Sequence, residues 1–394
     1  MNKSKTILSG AVVLYFVVCL EILIMISPFA GFFYSAFNPF LLGLANYRAT
    51  KWLSSFFFTH MVVPPTDLLK SIRVMGSVLF VLGLAIFLVC AIQVYSSKFF
   101  RKGQPVVRGL YSFIRHPQYV GLAVAGMGLA ILWPRFLVVV LWLAMVFVYF
   151  LLSKDEERRM ETQHPEAYRE YSARTGMFLP KRIEDSVSLS TVPGKVALFL
   201  VISTVAIGGA FLLRSYTVNH LPLWTSSNVV ALAVLPEDEP MMDHRMGDIL
   251  KVEEVQSRLQ PNQPYLAYFL PTNYVMQGLI ANTGGDWQLY RRHHSISRFA
   301  DWVFHPFTHL GGTHHSVYEP AGHLGHDMTA GSVRRVIFLK VSNISVSKAA
   351  DVFAVGATRT PDFMVDVDAH TLTILDVKSL PVETAWGKVP TPAF

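Results

Sequence analysis

The chain has 394 residues, 52% of them hydrophobic and only 15% charged, with a mean hydropathy of +0.38. A soluble protein carries about 25% charged residues, so these values argue against a wholly soluble chain and point to a membrane. The formal charge of +7 is mild, and no basic tract is interleaved with aromatics, which argues against nucleic acid as a partner.

The long apolar runs are bunched before residue 214, and the composition after it is ordinary. The expected fold is therefore an α-helical membrane domain with about five transmembrane helices, followed by an α+β soluble domain. Ile7 to Phe29 is too long for the core of a signal peptide and reads as a first span, with Glu21 protonated or facing other helices. Residues 31–71 hold Tyr47, Trp52, a Phe56-Phe57-Phe58 run and Pro64-Pro65, and no piece is long enough to cross. Aromatics beside Arg48 and Lys51 suit an interfacial helix or re-entrant loop, so residues 1–71 form an N-terminal segment. Val74 to Tyr95 is a clean second span, with Gly76 and Gly83 available for close helix contact.

Ser96 to Arg115 carries Lys98, Arg101, Lys102, Arg108 and Arg115 and no acid, which makes this loop cytoplasmic; Lys3 and Lys5 place the N-terminus on the same side. Pro117–Trp133 and Phe136–Ser153 read as a helical hairpin turning at Trp133-Pro134-Arg135, each arm roughly 25 Å long and barely a span. Residues 72–194 form the membrane core with a polar cytoplasmic tail. Lys195 to Leu213 is a last span, and residues 214–394 then lie on the opposite face, the periplasm of a bacterial cell. In this outer domain Pro264–Leu270, Arg335–Val341 and Phe353–Thr358 read as strands, Met364–Val377 as a hairpin turning at Asp368-Ala369-His370, and Asp248–Leu259 as a helix. Both cysteines, Cys19 and Cys90, lie in apolar runs, so the outer domain has neither a disulfide nor a cysteine metal motif.

The chemistry concentrates between Arg108 and Pro180. Arg115-His116-Pro117-x-Tyr119-x-Gly121 opens the hairpin, Lys154-Asp155-Glu156-Glu157-Arg158-Arg159 follows it, and a polar helix with Tyr168 and Tyr171 comes next. Arg115 and His116 place positive charge at a helix start, and Glu156 and Glu157 place negative charge just past a helix end, both the wrong sign for the macrodipole. Such exceptions at the two mouths of one hairpin are a mark of function. Read alone, Lys154–Arg159 is as well explained as a solvated face with internal ion pairs, and Gly126-x-Gly128 as helix packing.

This order of motifs, over roughly residues 75–182, resembles the isoprenylcysteine carboxyl methyltransferase and phospholipid methyltransferase family of membrane enzymes. The resemblance implies S-adenosylmethionine as cofactor and an acceptor that enters from the bilayer. It implicates Arg115, His116, Tyr119, Gly121, Glu156 and Glu157, with Arg115 and Glu156 as candidate catalytic residues; by residue type, Tyr168 and Tyr171 of the polar helix are candidates to line the cofactor slot beside Tyr119. Gln163-His164-Pro165 and Thr175-Gly176-Met177 depart from the family's pattern and bear on acceptor identity.

Eight histidines fall between 293 and 326. His305 and His309 have helical i,i+4 spacing, His314-His315 follow two glycines, and His323-x-x-His326 is a further pair. Imidazoles of this density suit Zn²⁺ or Cu²⁺, although no known metal motif is matched; the alternative is a hydrated or partner-packed loop.

The leading expectation is an integral-membrane, multi-pass methyltransferase acting on a lipid or a small apolar acceptor, with an outer domain for a membrane-protein partner or a metal. Two others remain open. One is a non-catalytic subunit of a membrane complex that reuses the scaffold; the other is an anchored metal chaperone or sensor.

Overall fold

The computed structural model describes residues 40, 42–59, 62, 64–100, 106–186, 191–274, 277–284 and 332–384. The expected first span and all eight histidines of 293–326 lie outside these residues. The described part forms two compact units, one from Leu68 to Leu213, the other from the residues before 68 together with those from Arg214 onward.

The first unit is built from helices. α1 (Asp67–Phe100), α2 (Pro117–Leu132) and α3 (Phe136–Gln163) are followed by two polar helices, α4 (Pro165–Arg174) and α5 (Lys181–Ser186), and by the start of the long α6 (Val192–Asn219). Among the described residues, three helices are long and apolar enough to cross a membrane: Asp67–Ser97, Phe136–Gln163 and Pro193–Asn219. Pro117–Leu132 is apolar but shorter; of the five spans expected, three are candidates, one is this shorter arm, and Ile7–Phe29 lies outside the described residues. Pro117 occupies the first turn of α2, where its missing N–H has no helical partner to lose.

Glycines set how closely α1 and α2 approach. A Cβ on Gly83 would lie 2.3 Å from the Ala125 nitrogen and 2.5 Å from the Gly121 oxygen. One on Gly128 would lie 2.4 Å from the Phe80 nitrogen and 2.6 Å from the Gly76 oxygen. The two backbones therefore touch at two points, and the pairing order makes the helices antiparallel. Across the hairpin a Cβ on Gly126 would meet Trp142 at 2.7 Å, and the Trp142 indole donates to the Ala123 carbonyl at 2.8 Å. α6 runs antiparallel to α3, with Phe136 against Phe211 and Phe147 against Phe199. The C-terminal end of α1, the start of α2, the end of α3 and the start of α6 are thus gathered at one end of the bundle.

The second unit is a six-stranded sheet in the order β1 to β6: Leu223–Ser226, Val229–Ala233, Tyr265–Pro271, Val333–Ser342, Thr358–Asp368 and Thr373–Ser379. All neighbours are antiparallel except β2 and β3, whose connection carries helix α7 (Glu239–Ile249). Met242, Met246 and Ile249 of α7 pack on Ala231, Ala267 and Phe338 of the sheet. β2 and β3 are buried at every residue, as parallel neighbours covered on both faces must be. Pro361 pairs with Leu339 at the register shift that follows Phe338↔Phe363, an irregularity of the kind that accommodates proline in a strand.

Two local readings are corrected, and one hairpin was missed. Phe353–Thr358 is not a strand: Ala349–Phe353 forms a 3-10 turn, and β5 begins at Thr358. The Asp351 carboxylate accepts from the Ser347 and Lys348 amides and fixes that turn. The helix expected over Asp248–Leu259 lies earlier, at Glu239–Ile249, because Pro240 opens it; only Glu253–Gln256 is helical later. The β1–β2 hairpin was not foreseen, since Val229–Ala233 is continuously apolar and shows no alternation.

The described residues before 68 belong with the sheet. Lys51 Nζ donates to the Gly356 carbonyl at 2.8 Å and to Thr358 Oγ1 at 3.2 Å. Arg214 donates to the Phe56 and Phe353 carbonyls, and Phe56, Phe57 and Phe58 are buried.

Candidate active site

The end of the bundle formed by the start of α2 and the end of α3 gathers the ionisable side chains. α3 continues through the whole Lys154–Arg159 run and ends at Gln163, so Glu156 and Glu157 lie inside a helix and not past its end, which corrects the macrodipole reading for them. What offsets the misplaced charge is direct pairing. Arg115 Nε donates to Glu157 Oε1 at 2.7 Å across the mouth.

The two adjacent glutamates face different surroundings. Glu157 is 11% exposed and takes Arg115, Lys154 Nζ at 2.7 Å and, at 3.6 Å, His116 Nε2. Glu156 is 44% exposed; its Oε1 accepts from the Tyr119 hydroxyl at 2.5 Å, and its Oε2 lies 3.4 Å from His116 Nδ1. The rest of the run behaves as a solvated face: Asp155 pairs with Arg158 at 2.6 Å and with Arg159, both on its own helix.

His116 is the N-cap of α2 and is buried. Its ring lies between Tyr119 and Phe178 at centroid distances of 5.9 and 6.0 Å. Burial opposes its charge, yet Glu156 and Glu157 outweigh that and hold its pKa above the ordinary histidine value. Both nitrogen–oxygen distances exceed a well-formed N–H···O bond, so the imidazole is held by charge more than by aligned hydrogen bonds. Tyr119 stacks on Tyr149 at 5.3 Å and stiffens the same wall.

The segment after α4 closes the mouth. The Arg115 amide donates to the Gly176 carbonyl at 2.8 Å and the His116 amide to the Met177 carbonyl at 3.1 Å. Arg115 also donates through its guanidinium to the Thr175 carbonyl and, at 3.4 Å, to Ser172. Gly176 is required here: a Cβ would stand 1.9 Å from the Leu179 carbonyl oxygen. The departure at Thr175-Gly176-Met177 is thus a built feature, a short parallel bridge between Ile114 and Gly176.

Arg115, His116, Tyr119, Glu156 and Glu157 are therefore brought together. Tyr168 lies beside Glu157, where burial and then the carboxylate raise its pKa. Tyr171 donates its hydroxyl to the Tyr111 carbonyl at 2.7 Å, and burial pushes its pKa up to about 12. Gly121 turns to Gly83 and Phe87 of α1, not to the carboxylates. His305, His309, His314, His315, His323 and His326 lie outside the described residues, and among the described residues no group of three or more metal-ligating side chains is found.

Sequence reading missed Gln93, Tyr111, Gln118 and Ser153. Each has a buried side-chain polar atom without a nitrogen or oxygen partner among the described residues, as do both ring nitrogens of His116. Native interiors leave few such atoms, and these gather on the elements that meet at the mouth. None carries a charge or a motif spacing, so no pattern in the chain marks them.

Chemically, the mouth offers a half-exposed carboxylate, stacked aromatic rings and several unsatisfied neutral donors and acceptors. That set fits S-adenosylmethionine, which brings an ammonium and a sulfonium cation, hydroxyls and a flat base. No curated protein and no solved structure matches the chain. A family model described as phospholipid methyltransferase matches residues 71–167, the α1–α3 segment with the start of α4, which is the stretch whose motif order resembles that family.

Proposed function

We propose that the protein is an integral-membrane, S-adenosylmethionine-dependent methyltransferase acting on a lipid or a small apolar acceptor. The observation that carries this reading is the Glu156 carboxylate, aimed by the Tyr119 hydroxyl at 2.5 Å and left 44% exposed beside a buried His116. The family match over residues 71–167 supports the same class. The basic loop of residues 96–115 puts this mouth on the cytoplasmic side.

When bound, the cofactor supplies a methyl group on a sulfonium, which passes in line to the acceptor's lone pair as the carbon–sulfur bond breaks and a neutral thioether leaves. The protein has to orient and to exclude water. Glu156 is the ligand-facing carboxylate, suited to the ammonium or ribose hydroxyls. Glu157 and Arg115 are positioning residues, because both are already engaged by protein partners that clamp α2, α3 and the 172–177 segment together. His116 adds positive charge next to Glu156 and serves a ligand carboxylate. The sheet unit is read as a module for a membrane-protein partner or a metal, with Zn²⁺ or Cu²⁺ on the 293–326 histidines.

The test is calorimetric binding of S-adenosylmethionine to detergent-purified protein beside Glu156→Ala and His116→Ala. Hydrogen bonds to charged groups contribute about 1.5–3 kcal/mol, so each variant is expected to lose roughly tenfold or more in affinity. A folded wild type that does not bind would end the enzyme reading.

A further inference from the structure

Tyr111 and Gln93 form a second, uncharged wall at the same mouth that no motif assigns. Tyr111 sits on the 3-10 turn Gly109–Ser112 and is 5% exposed. Its hydroxyl has no hydrogen-bond partner better than the Cys90 thiol beside it, and thiols are weak partners. Gln93 lies one helical turn beyond Cys90 on the same face of α1, and its buried Oε1 is also without a donor. The Gln93 amide rests on Gly109, where a Cβ would stand 3.0 Å from Nε2. Gly109 has φ +68°, a conformation glycine adopts without strain.

The wall is level with the charged groups. α1 and α2 are antiparallel and touch where Phe87 meets Gly121; one to two turns further along α1, Cys90 and Gln93 reach the height at which α2 begins with His116. Tyr111 is within electrostatic reach of Glu156, and its carbonyl is held by the Tyr171 hydroxyl at 2.7 Å. A buried hydroxyl whose partner is the weak Cys90 thiol and a buried amide acceptor without a donor among the described residues thus lie on the Gly109–Ser112 turn and the α1 face that meets it, both neutral. A charged ligand group placed there would find no counter-ion among these side chains. The edge of an adenine fits: its exocyclic amine donates and its ring nitrogens accept, a pattern that a glutamine amide reads in other settings.

Building on the methyltransferase reading, we propose that Gln93 and Tyr111 recognise the adenine edge of the cofactor, with Gln93 Oε1 accepting from the exocyclic amine and the Tyr111 hydroxyl donating to a ring nitrogen. They are specificity residues, while Glu156 and His116 hold the charged end.

The experiment is calorimetry on the full chain in detergent with two probes, S-adenosylhomocysteine and S-inosylhomocysteine; the second replaces the exocyclic amine with a carbonyl. Losing one hydrogen bond is expected to cost roughly tenfold in affinity. The wild type should prefer the adenosyl compound by about that factor. Gln93→Leu should abolish the preference, and Tyr111→Phe should weaken adenosyl binding about tenfold. Ligand-free melting of Tyr111→Phe should fall little, because the substitution removes only a weak contact with the Cys90 thiol; this conservative variant decides the matter if Gln93→Leu folds poorly. Equal binding of both probes by the wild type, or wild-type affinity for adenosyl in Tyr111→Phe, overturns the assignment and leaves the methyltransferase reading standing. Failure of the wild type to bind either probe overturns that reading, and this assignment with it.

Discussion

Glu156 and Glu157 are neighbours in sequence and differ in everything that decides their roles. Successive helical residues point about 100° apart, so one carboxylate turns to Arg115 and Lys154 and the other to the open side with Tyr119. Removing the Glu157 charge leaves Arg115 and His116 as part-buried cations without their main partner. That should cost about 3 kcal/mol, at the low end for a broken buried pair. Glu156→Gln removes a half-exposed charge and should cost about 1 kcal/mol or less. Melting of detergent-purified Glu157→Gln and Glu156→Gln checks this, and equal losses would refute the division of roles. That a carboxylate pair faces Arg115 and His116 was legible from motif order; which of the two faces inward was not.

The hairpin and its neighbour α1 show what periodicity reads well. Val74–Tyr95, Phe136–Ser153 and Lys195–Leu213 were all foreseen from unbroken apolar runs, and the observed helices contain them. Helix ends were less legible, since a polar run such as Lys154–Gln163 continues a helix as readily as it ends one. Gly76 and Gly83 could be named as contact residues from the sequence, but their partners Gly128 and Gly121 follow only from the crossing. Gly83→Ala and Gly128→Ala should each destabilise the bundle by about 1–3 kcal/mol through forced separation of backbones. Gly208→Ala in α6, where a Cβ meets nothing within 4 Å among the described residues, should be neutral or stabilising by about 0.5–1 kcal/mol. Thermal melts of the three variants in one detergent give the comparison, and a Gly83→Ala protein as stable as Gly208→Ala would contradict the crossing.

The whole chain divides otherwise than hydropathy suggests. Lys51 and the Phe56–Phe58 run belong to the sheet unit, through Gly356, Thr358 and the Arg214 bonds to Phe56 and Phe353. A fragment of residues 214–394 therefore lacks a buried part of its own unit. It is expected to aggregate or to bind a hydrophobic dye, whereas the same fragment with residues 40–67 fused ahead of it should stay dispersed. A monodisperse, dye-silent 214–394 fragment would refute the assignment. Hydropathy does not carry this assignment, because three phenylalanines beside two cations look alike whether they meet lipid or a protein interior.

By itself the sequence determined the membrane character, the positions of the long apolar helices, the separate mixed unit beyond them and the motifs that resemble methyltransferases. Each of these rests on composition, period or order along the chain. Only the tertiary structure decided which glutamate is clamped and which is half-exposed, which glycines oppose one another, and that Gln93 and Tyr111 come to the same mouth. It also decided that residues near 51–58 complete the sheet unit. These are relations between segments far apart in sequence, set by side-chain direction and backbone approach, and no local pattern carries either.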